Sequence, residues 1–402
     1  MKRIYDEVIK KHFANDQQIL FIAGARQVGK TTVAQNANAL TDSFTYLDWD
    51  NQNHREIILQ GPEAVAQYAH LEYLTEKLPI IAFDEIHKFS LWKEFLKGFY
   101  DTYHEKTHTI VTGSAKLDVY KAGGDSLMGR YFLYRIHPLS VAECITTKII
   151  ETEIRKPNSI PPTDWKNLLE FGGFPEPFSK QNKSFSLRWQ NLRSQQLFRE
   201  DIIDLTKIQD IARLEILAEL LKQQAGSLTS YSQLAKKLRI SVDTTSRWIK
   251  TLESFYYCFS LHPWTKNITR SLLKEPKIFL WDWSLLSDPG AKMENFVACH
   301  LMKATQFWTD QGLGDYKLYF IRDLEKNEVD FLVSKNDQAW FLVEVKASSN
   351  GGISKHLYKF QKQTGAPHAF QVVFDLEYVD KDCFSINDPV IVPVRTFLSQ
   401  LV

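Results

Sequence analysis

Apolar positions change their spacing along the chain, and each change marks a different kind of element. Residues 1–18 carry apolar side chains at helical intervals among charged ones, which predicts an amphipathic helix. Short, mostly apolar runs follow at Ile19–Ala23, Phe44–Asp48, Pro79–Phe83 and Thr107–Thr112, separated by helical stretches. Such runs predict strands of a parallel sheet with covered faces. After Pro138 the pattern becomes mostly helical as far as about residue 225, with loops at Pro157–Pro162 and Gly172–Pro177. Residues 228–262 read as helix, short turn, helix. A helix at Glu294–Thr305 then precedes strands at Tyr316–Arg322, Glu328–Val333 and Trp340–Val345. The chain is thus an α/β multidomain protein. Its expected segments are an α/β core at 1–145, a helical connector at 146–225, a helix–turn–helix module at 226–288 and a second α/β domain at 289–402.

The strongest chemical signal lies after the first apolar strand. Gly24-Ala25-Arg26-Gln27-Val28-Gly29-Lys30-Thr31, followed by Thr32, has glycines where a loop must curl its N–H groups around phosphate oxygens. Lys30 is placed to reach the β- and γ-phosphates, and the Thr31 hydroxyl to ligate Mg²⁺. The helix that follows points its positive end at the anion. Pro79–Phe83 runs into Asp84 and Glu85. In this context Asp84 holds the Mg²⁺ shell and Glu85 positions or activates the attacking water. Another apolar strand, Ile110–Gly113, ends in polar residues, and Thr112 or Ser114 is expected near the γ-phosphate, unless the segment is a simple turn.

These pieces carry a resemblance. GARQVGKTT, FDEIHK, VTGSA, SLMGRYFLYRIHPLSVAE and the later GGFPE at Gly172–Glu176 resemble the AAA+ ATPase family whose members usually carry a second conserved region, DUF4143. Ala25 stands where that family usually has proline. The resemblance implies a P-loop AAA+ parallel sheet core with a helical lid, binding ATP or ADP with Mg²⁺, and working as a homo-oligomer. It also implies a sensor role for Ser114 and an arginine-finger role for Arg130. Such an arginine adds positive charge to the transition state, usually from a neighbouring subunit; the competing reading of Arg130 is an ion pair at a helix end.

In the middle of the chain Leu234, Ala235, Leu238 and Ile240 are expected on an inner face, with Ser241 capping a second helix. That helix carries Thr244, Thr245, Arg247, Trp248 and Lys250, with Lys236, Lys237 and Arg239 nearby. A local basic surface of this kind suits DNA, though such modules also serve as protein contacts. The family resemblance implies a winged helix here.

Near the C-terminal end, Asp330 lies in one strand and Glu344-x-Lys346 in the next, with alternation placing Glu344 and Lys346 on one face. Glu294, on the preceding helix, adds a carboxylate. Carboxylates so gathered can hold a hard cation that activates water, with the lysine stabilising developing charge. The segment resembles the PD-(D/E)XK fold, a restriction-endonuclease-like α/β domain. Resemblance then implies metal ligation by Glu294, Asp330 and Glu344 and catalysis by Glu344 and Lys346. A satisfied ion pair, or an inactive nuclease fold, is the competing reading.

Composition narrows the picture. The 402 residues are 44% hydrophobic and the net charge is +1, so any nucleic-acid surface must be local. The four cysteines have no CxxC spacing and read as buried free thiols in a reducing cytosol, which places the protein in the cytoplasm. No window approaches 18 uncharged apolar residues, so no membrane span is expected. His87 reads as part of a surface turn. The leading functional expectation is an ATP-dependent enzyme acting on DNA, with a Mg²⁺ nuclease centre. The first alternative is a nucleotide-switched interaction protein with an inactive nuclease fold. The second is a DNA-binding module whose ATPase regulates loading.

Overall fold

The computed structural model describes residues 1–113, 127–206, 208–265 and 274–402. They form two compact units: Met1–His137 with Thr147–Ile149, and Pro138–Thr146 with Ile150–Val402.

The first unit is a five-stranded, wholly parallel sheet. Helix α1 (Ile4–Asn15) leads into β1 (Ile19–Gly24) and α2 (Lys30–Asn36). Then come β2 (Phe44–Asp48), α3 (Gln52–Leu59), α4 (Pro62–Tyr68), β3 (Ile80–Asp84), α5 (Trp92–Tyr103), β4 (His108–Gly113) and β5 (Tyr131–Ile136). The strand order is β2-β3-β4-β1-β5. Every residue of β1 and β3 is buried, which is why those strands read as unbroken apolar runs. One face packs on α5, whose Trp92, Phe95, Leu96 and Phe99 recur at helical spacing and meet Phe21 and Phe83. The sequence reading assigned no strand to β5, because this edge strand is half-exposed and mixes Tyr134 and Arg135 with its apolar residues.

The second unit begins with helices α6 (Val141–Ile145), α7 (Pro162–Phe171), α8 (Pro175–Lys180), α9 (Lys183–Gln196), α10 (Ile202–Leu205) and α11 (Ile211–Gln223). Next come α12 (Tyr231–Leu238), α13 (Val242–Ser254) and an antiparallel pair, β6 (Cys258–Leu261) with β7 (Lys277–Leu280). A long helix, α14 (Pro289–Asp310), precedes β8 (Tyr316–Arg322), β9 (Glu328–Lys335) and β10 (Gln338–Lys346). The chain continues through α15 (Lys355–Thr364), β11 (His368–Val373), β12 (Val390–Pro393) and α16 (Val394–Ser399). The sheet order is β12-β11-β10-β9-β8. Strands β8, β9 and β10 run antiparallel, whereas β10, β11 and β12 run parallel. Helix α15 supplies the crossover that the parallel β10–β11 pair requires.

Residues 138–146 fold with this second unit. Lys303 of α14 is buried and donates to Pro138 O at 3.1 Å, Ser140 Oγ at 3.0 Å and Glu143 Oε2. The Val141 N–H donates to His300 Nε2 at 3.1 Å. A buried ammonium demands such partners, so the segment is fixed to the helix that carries the lysine. All four cysteines are free thiols; Cys144 is half-buried and the others are buried. Among the described residues, no helix is long and apolar enough to cross a membrane.

The Gly172–Gly173 pair of the GGFPE run has a packing role. Gly172 sits at φ +83°, and a Cβ on Gly173 would lie 2.5 Å from the Trp283 ring, 2.7 Å from Leu139 O and 2.8 Å from Pro138 Cβ. Gly173→Ala is therefore expected to destabilise the second unit by about 1–3 kcal/mol through overpacking. Thermal unfolding checks this, and an unchanged transition would contradict it.

Candidate nucleotide site and a carboxylate cluster

The loop between β1 and α2 curls as its glycines allow. Gly29 lies at φ +103°, Gln27 at +62°, and a Cβ on Gly24 would run into the Ile136 carbonyl oxygen of β5. Arg3 braces the loop through donations to Val28 O at 2.6 Å and His137 O at 2.7 Å. This role was invisible in sequence, since Arg3 reads as an ordinary charged residue near the start of α1. Ala25 and Val28 are buried, Arg26 and Gln27 half-buried, and Thr31 and Thr32 exposed. Lys30 is buried and its Nζ donates to Gly24 O at 3.1 Å and Ala25 O at 2.9 Å. Its charge is thus satisfied by loop carbonyls at the place where phosphate oxygens would offer stronger, charged acceptors.

Asp84, at the end of β3, is 4% exposed and gathers hydroxyl donors from three elements. Thr31 Oγ1 donates to Oδ2 at 2.8 Å, Tyr46 of β2 donates to the same oxygen, and Thr112 of β4 donates to Oδ1. Burial, followed by the bond to Asp84, pushes the Tyr46 phenol well above its usual pKa, so it remains a donor. Sequence reasoning missed Tyr46, because a tyrosine on a strand reads as packing. The residues present fit a Mg²⁺–nucleotide: a curled glycine loop, a buried lysine and a threonine hydroxyl bonded to a buried aspartate. Lys30 and the loop N–H groups would hold phosphates, while Thr31 and Asp84 would hold the metal shell.

Glu85 follows in the left-handed region at φ +54°, where its N–H reaches Thr112 O at 3.2 Å. Non-glycine residues rarely adopt this conformation, and such strain clusters at functional sites. Burial raises the Glu85 carboxyl above its usual pKa, with Lys30 and Lys88 pulling the other way. Its Oε2 lies 3.7 Å from His87 Nε2 and 3.8 Å from Lys88 Nζ. His87 lies in the turn that follows but is buried, not at the surface.

Arg130 sits at the opposite end of the strands from the P-loop. Its carbonyl accepts from the N–H of Ile19, the first residue of β1, whereas the P-loop leaves the last, Gly24. The six residues of β1 separate the two ends by roughly 17 Å at about 3.3 Å per residue. The guanidinium makes a forked pair with Asp101 of α5, at 2.6 Å through Nε and 3.1 Å through Nη2. Ser114, like Ser126 of the SLMGR run, lies outside the described residues.

In the helix–turn–helix, Leu234, Ala235 and Leu238 are buried, Ile240 is half-buried, and Ser241 Oγ accepts the Thr244 N–H at 3.0 Å. Thr245 and Trp248 are buried too, so they belong to the packed face and not to the basic surface. Lys236, Lys237, Arg239, Arg247 and Lys250 are exposed.

The C-terminal carboxylates come together with more lysine than the sequence suggested. Lys346 Nζ lies 2.7 Å from Glu344 Oε1, and Asp330 Oδ2 accepts the Val345 N–H at 2.8 Å. Lys277 of β7, which sequence reasoning did not single out, reaches Glu328 Oε1 at 2.5 Å and Glu294 Oε1 at 3.2 Å. Burial opposes its charge, and Glu294, Asp330 and Glu328 outweigh burial, so its pKa is held above that of a free lysine. Burial, then repulsion from Asp330, raises the Glu294 carboxyl; burial, then repulsion from Glu344, raises that of Asp330; burial also raises that of Glu344. Among the described residues no three His, Cys, Asp or Glu side chains are arranged to hold a metal ion. Of the three expected ligands, Glu294 is already paired with the Lys277 ammonium and Glu344 with Lys346, a poor fit to a metal ion.

Parallel sheet, glycine loop and buried aspartate together make the arrangement of a P-loop domain. Residues 16–145 match the family model described as an AAA domain. Residues 162–289 match a domain of unknown function, DUF8612, and residues 289–396 another, DUF4143. The chain therefore carries an AAA domain and ends in a DUF4143 region. It is similar to an uncharacterized protein of Mycobacterium tuberculosis, at 22% identity over 354 residues, covering 84% of this chain and 72% of the relative. An uncharacterized protein of Haemophilus influenzae is 20% identical over 362 residues, covering 82% and 83%. Among solved structures, the Orc1 protein of Aeropyrum pernix in complex with DNA aligns over 73% of this chain and 90% of that one, at 12% identity and a TM-score of 0.31.

Tyr46→Phe removes one of the hydroxyls that orient Asp84. It is expected to weaken Mg²⁺-dependent nucleotide binding about tenfold, the usual cost of losing an outer-shell partner, and to leave Mg²⁺-free binding unchanged. Calorimetric titration with and without Mg²⁺ separates the two, and equal losses in both would refute the role.

Proposed function

We propose that the protein binds and hydrolyses ATP with Mg²⁺, and that hydrolysis is completed by Arg130 from a second copy of the chain. The observation that carries this reading is the convergence on Asp84 of hydroxyls from the P-loop helix, β2 and β4. That arrangement suits a carboxylate held ready to orient a metal shell. Lys30 would turn from its loop carbonyls to the phosphates, and Glu85 would align the attacking water. Bound Mg²⁺ would neutralise charge on the transferred phosphate. The remote position of Arg130 supports action on another copy's nucleotide. Its pair with Asp101 would then have to open on assembly, at modest cost for an exposed ion pair.

The order helix, three antiparallel strands, helix, parallel strand in the C-terminal unit supports a nuclease-like reading. Glu294, Asp330, Glu344 and Lys346 are the residues such a site would use. Because Lys277 already pairs with Glu294 and Glu328, the reading best supported is a fold that cuts nothing in this state. The exposed basic residues around α12 and α13, followed by the β6–β7 pair, support a winged helix that contacts DNA. A cytoplasmic location accords with the free thiols.

Lys30→Ala is expected to abolish ATP binding. Glu85→Gln is expected to keep binding and lose at least about a hundredfold in phosphate release. Binding titrations beside phosphate-release assays check this, and hydrolysis that survives Lys30→Ala would overturn the assignment. For the DNA contact, Arg247→Ala with Lys250→Ala should weaken duplex binding and flatten its salt dependence. Affinity unchanged across salt concentrations would remove DNA from the proposal.

A further inference from the structure

We infer that the carboxylate cluster of the C-terminal sheet carries its own cation, the Lys277 ammonium, and that this side chain excludes divalent metal ions from the cluster. The residue is delivered from outside the sheet it serves. Its strand β7 is fastened along both edges: Lys277 pairs with Leu261 of β6 on one side and bridges to Leu228 on the other. The side chain is 6% exposed, and its Nζ lies within ion-pair distance of Glu294 from α14 and Glu328 from β9.

A divalent ion held by these carboxylates needs oxygen ligands at about 2.0–2.6 Å and a volume of its own. The ammonium, 2.5 Å from Glu328 and 3.2 Å from Glu294, already occupies the side of the cluster that these two carboxylates line, and Asp330 lies near enough to act on its charge. Two cations in one buried pocket would repel strongly. The charges also balance closely without a metal. Glu294, Glu328, Asp330 and Glu344 face Lys277, Lys346 and Arg322, the last 3.1 Å from Glu328 Oε2. One acceptor is left over: Glu344 Oε2 is buried and has no hydrogen-bond partner. That oxygen marks where a metal ion would be drawn if Lys277 were absent.

The inference uses the nuclease-like reading only for the shape of the fold and concerns metal uptake, not cleavage. It can therefore fail while the ATPase and DNA proposals stand, and the reverse. The test is Mn²⁺ titration of the full chain without nucleotide, followed by free-ion electron paramagnetic resonance and by thermal unfolding. The native chain, Lys277→Arg and Glu344→Gln are expected to give the same titration. Lys277→Met should gain one Mn²⁺ site at least about tenfold tighter than any in the native chain, and Mn²⁺ should raise its melting temperature. Adding Glu344→Gln to Lys277→Met should remove that site. A native chain that binds Mn²⁺ and loses it in Glu344→Gln overturns the inference, as does a folded Lys277→Met that takes up no more Mn²⁺ than the native chain. Should Lys277→Met fail to fold, the native and Glu344→Gln pair still decides, since matching titrations support exclusion and a lost site refutes it.

Discussion

A charge removed from water must be matched where it lies, and much of this structure is arranged around that constraint. Asp84 is matched by three hydroxyls, Lys30 by two loop carbonyls, Lys303 by Glu143 and two oxygens, and Lys277 by a group of carboxylates. Each solution ties distant segments together. Asp84 draws β2, β4 and α2 to the end of β3, where the phosphate loop also ends. Lys303 fixes residues 138–146 to α14. The same physics thus serves both binding and architecture, and the distinction lies in what can replace the partner. Loop carbonyls are weaker acceptors than a phosphate, whereas Glu143 meets Lys303 as a buried full charge.

The two clusters contrast in this respect. At the P-loop, loop carbonyls accept from Lys30 and hydroxyls donate to Asp84, neutral dipoles weaker than an incoming phosphate or metal ion, while the Glu85 carboxyl lies close enough to feel the Lys30 charge. At the C-terminal cluster, the partners are full charges of opposite sign already in contact. Entry of a metal ion there requires breaking ion pairs in a poorly solvated place, a cost of several kcal/mol for a buried pair. One site is arranged for exchange and the other for permanence.

Much of this was legible in the amino-acid sequence where the pattern was strict. The P-loop spacing, the apolar run into Asp84 and the period of α12 and α13 each match an element, because the physical requirement at those positions allows few residue types. Strand β5 was not legible, since an edge strand with one wet face loses the unbroken apolar run. Tyr46, Arg3 and Lys277 were missed for a shared reason. Their partners lie 38, 25 and 17 or more residues away, so no local spacing reveals the contact. Glu344 and Lys346 were found from alternation along β10; what alternation could not give was the third cation delivered from β7. Thr245 and Trp248 were read as surface because the helix period alone leaves the direction of the packed face open.

The central claim is the proposed sharing of an ATPase site between two copies, Arg130 lying at the opposite end of β1 from the phosphate loop of its own chain. The most direct measurement is the rate of phosphate release per chain across a wide range of protein concentration, at saturating Mg²⁺ and ATP. The account predicts a specific rate that climbs with concentration and then levels, with activity restored when Arg130→Ala chains are mixed with Lys30→Ala chains. A specific rate independent of concentration, with no recovery on mixing, would contradict it.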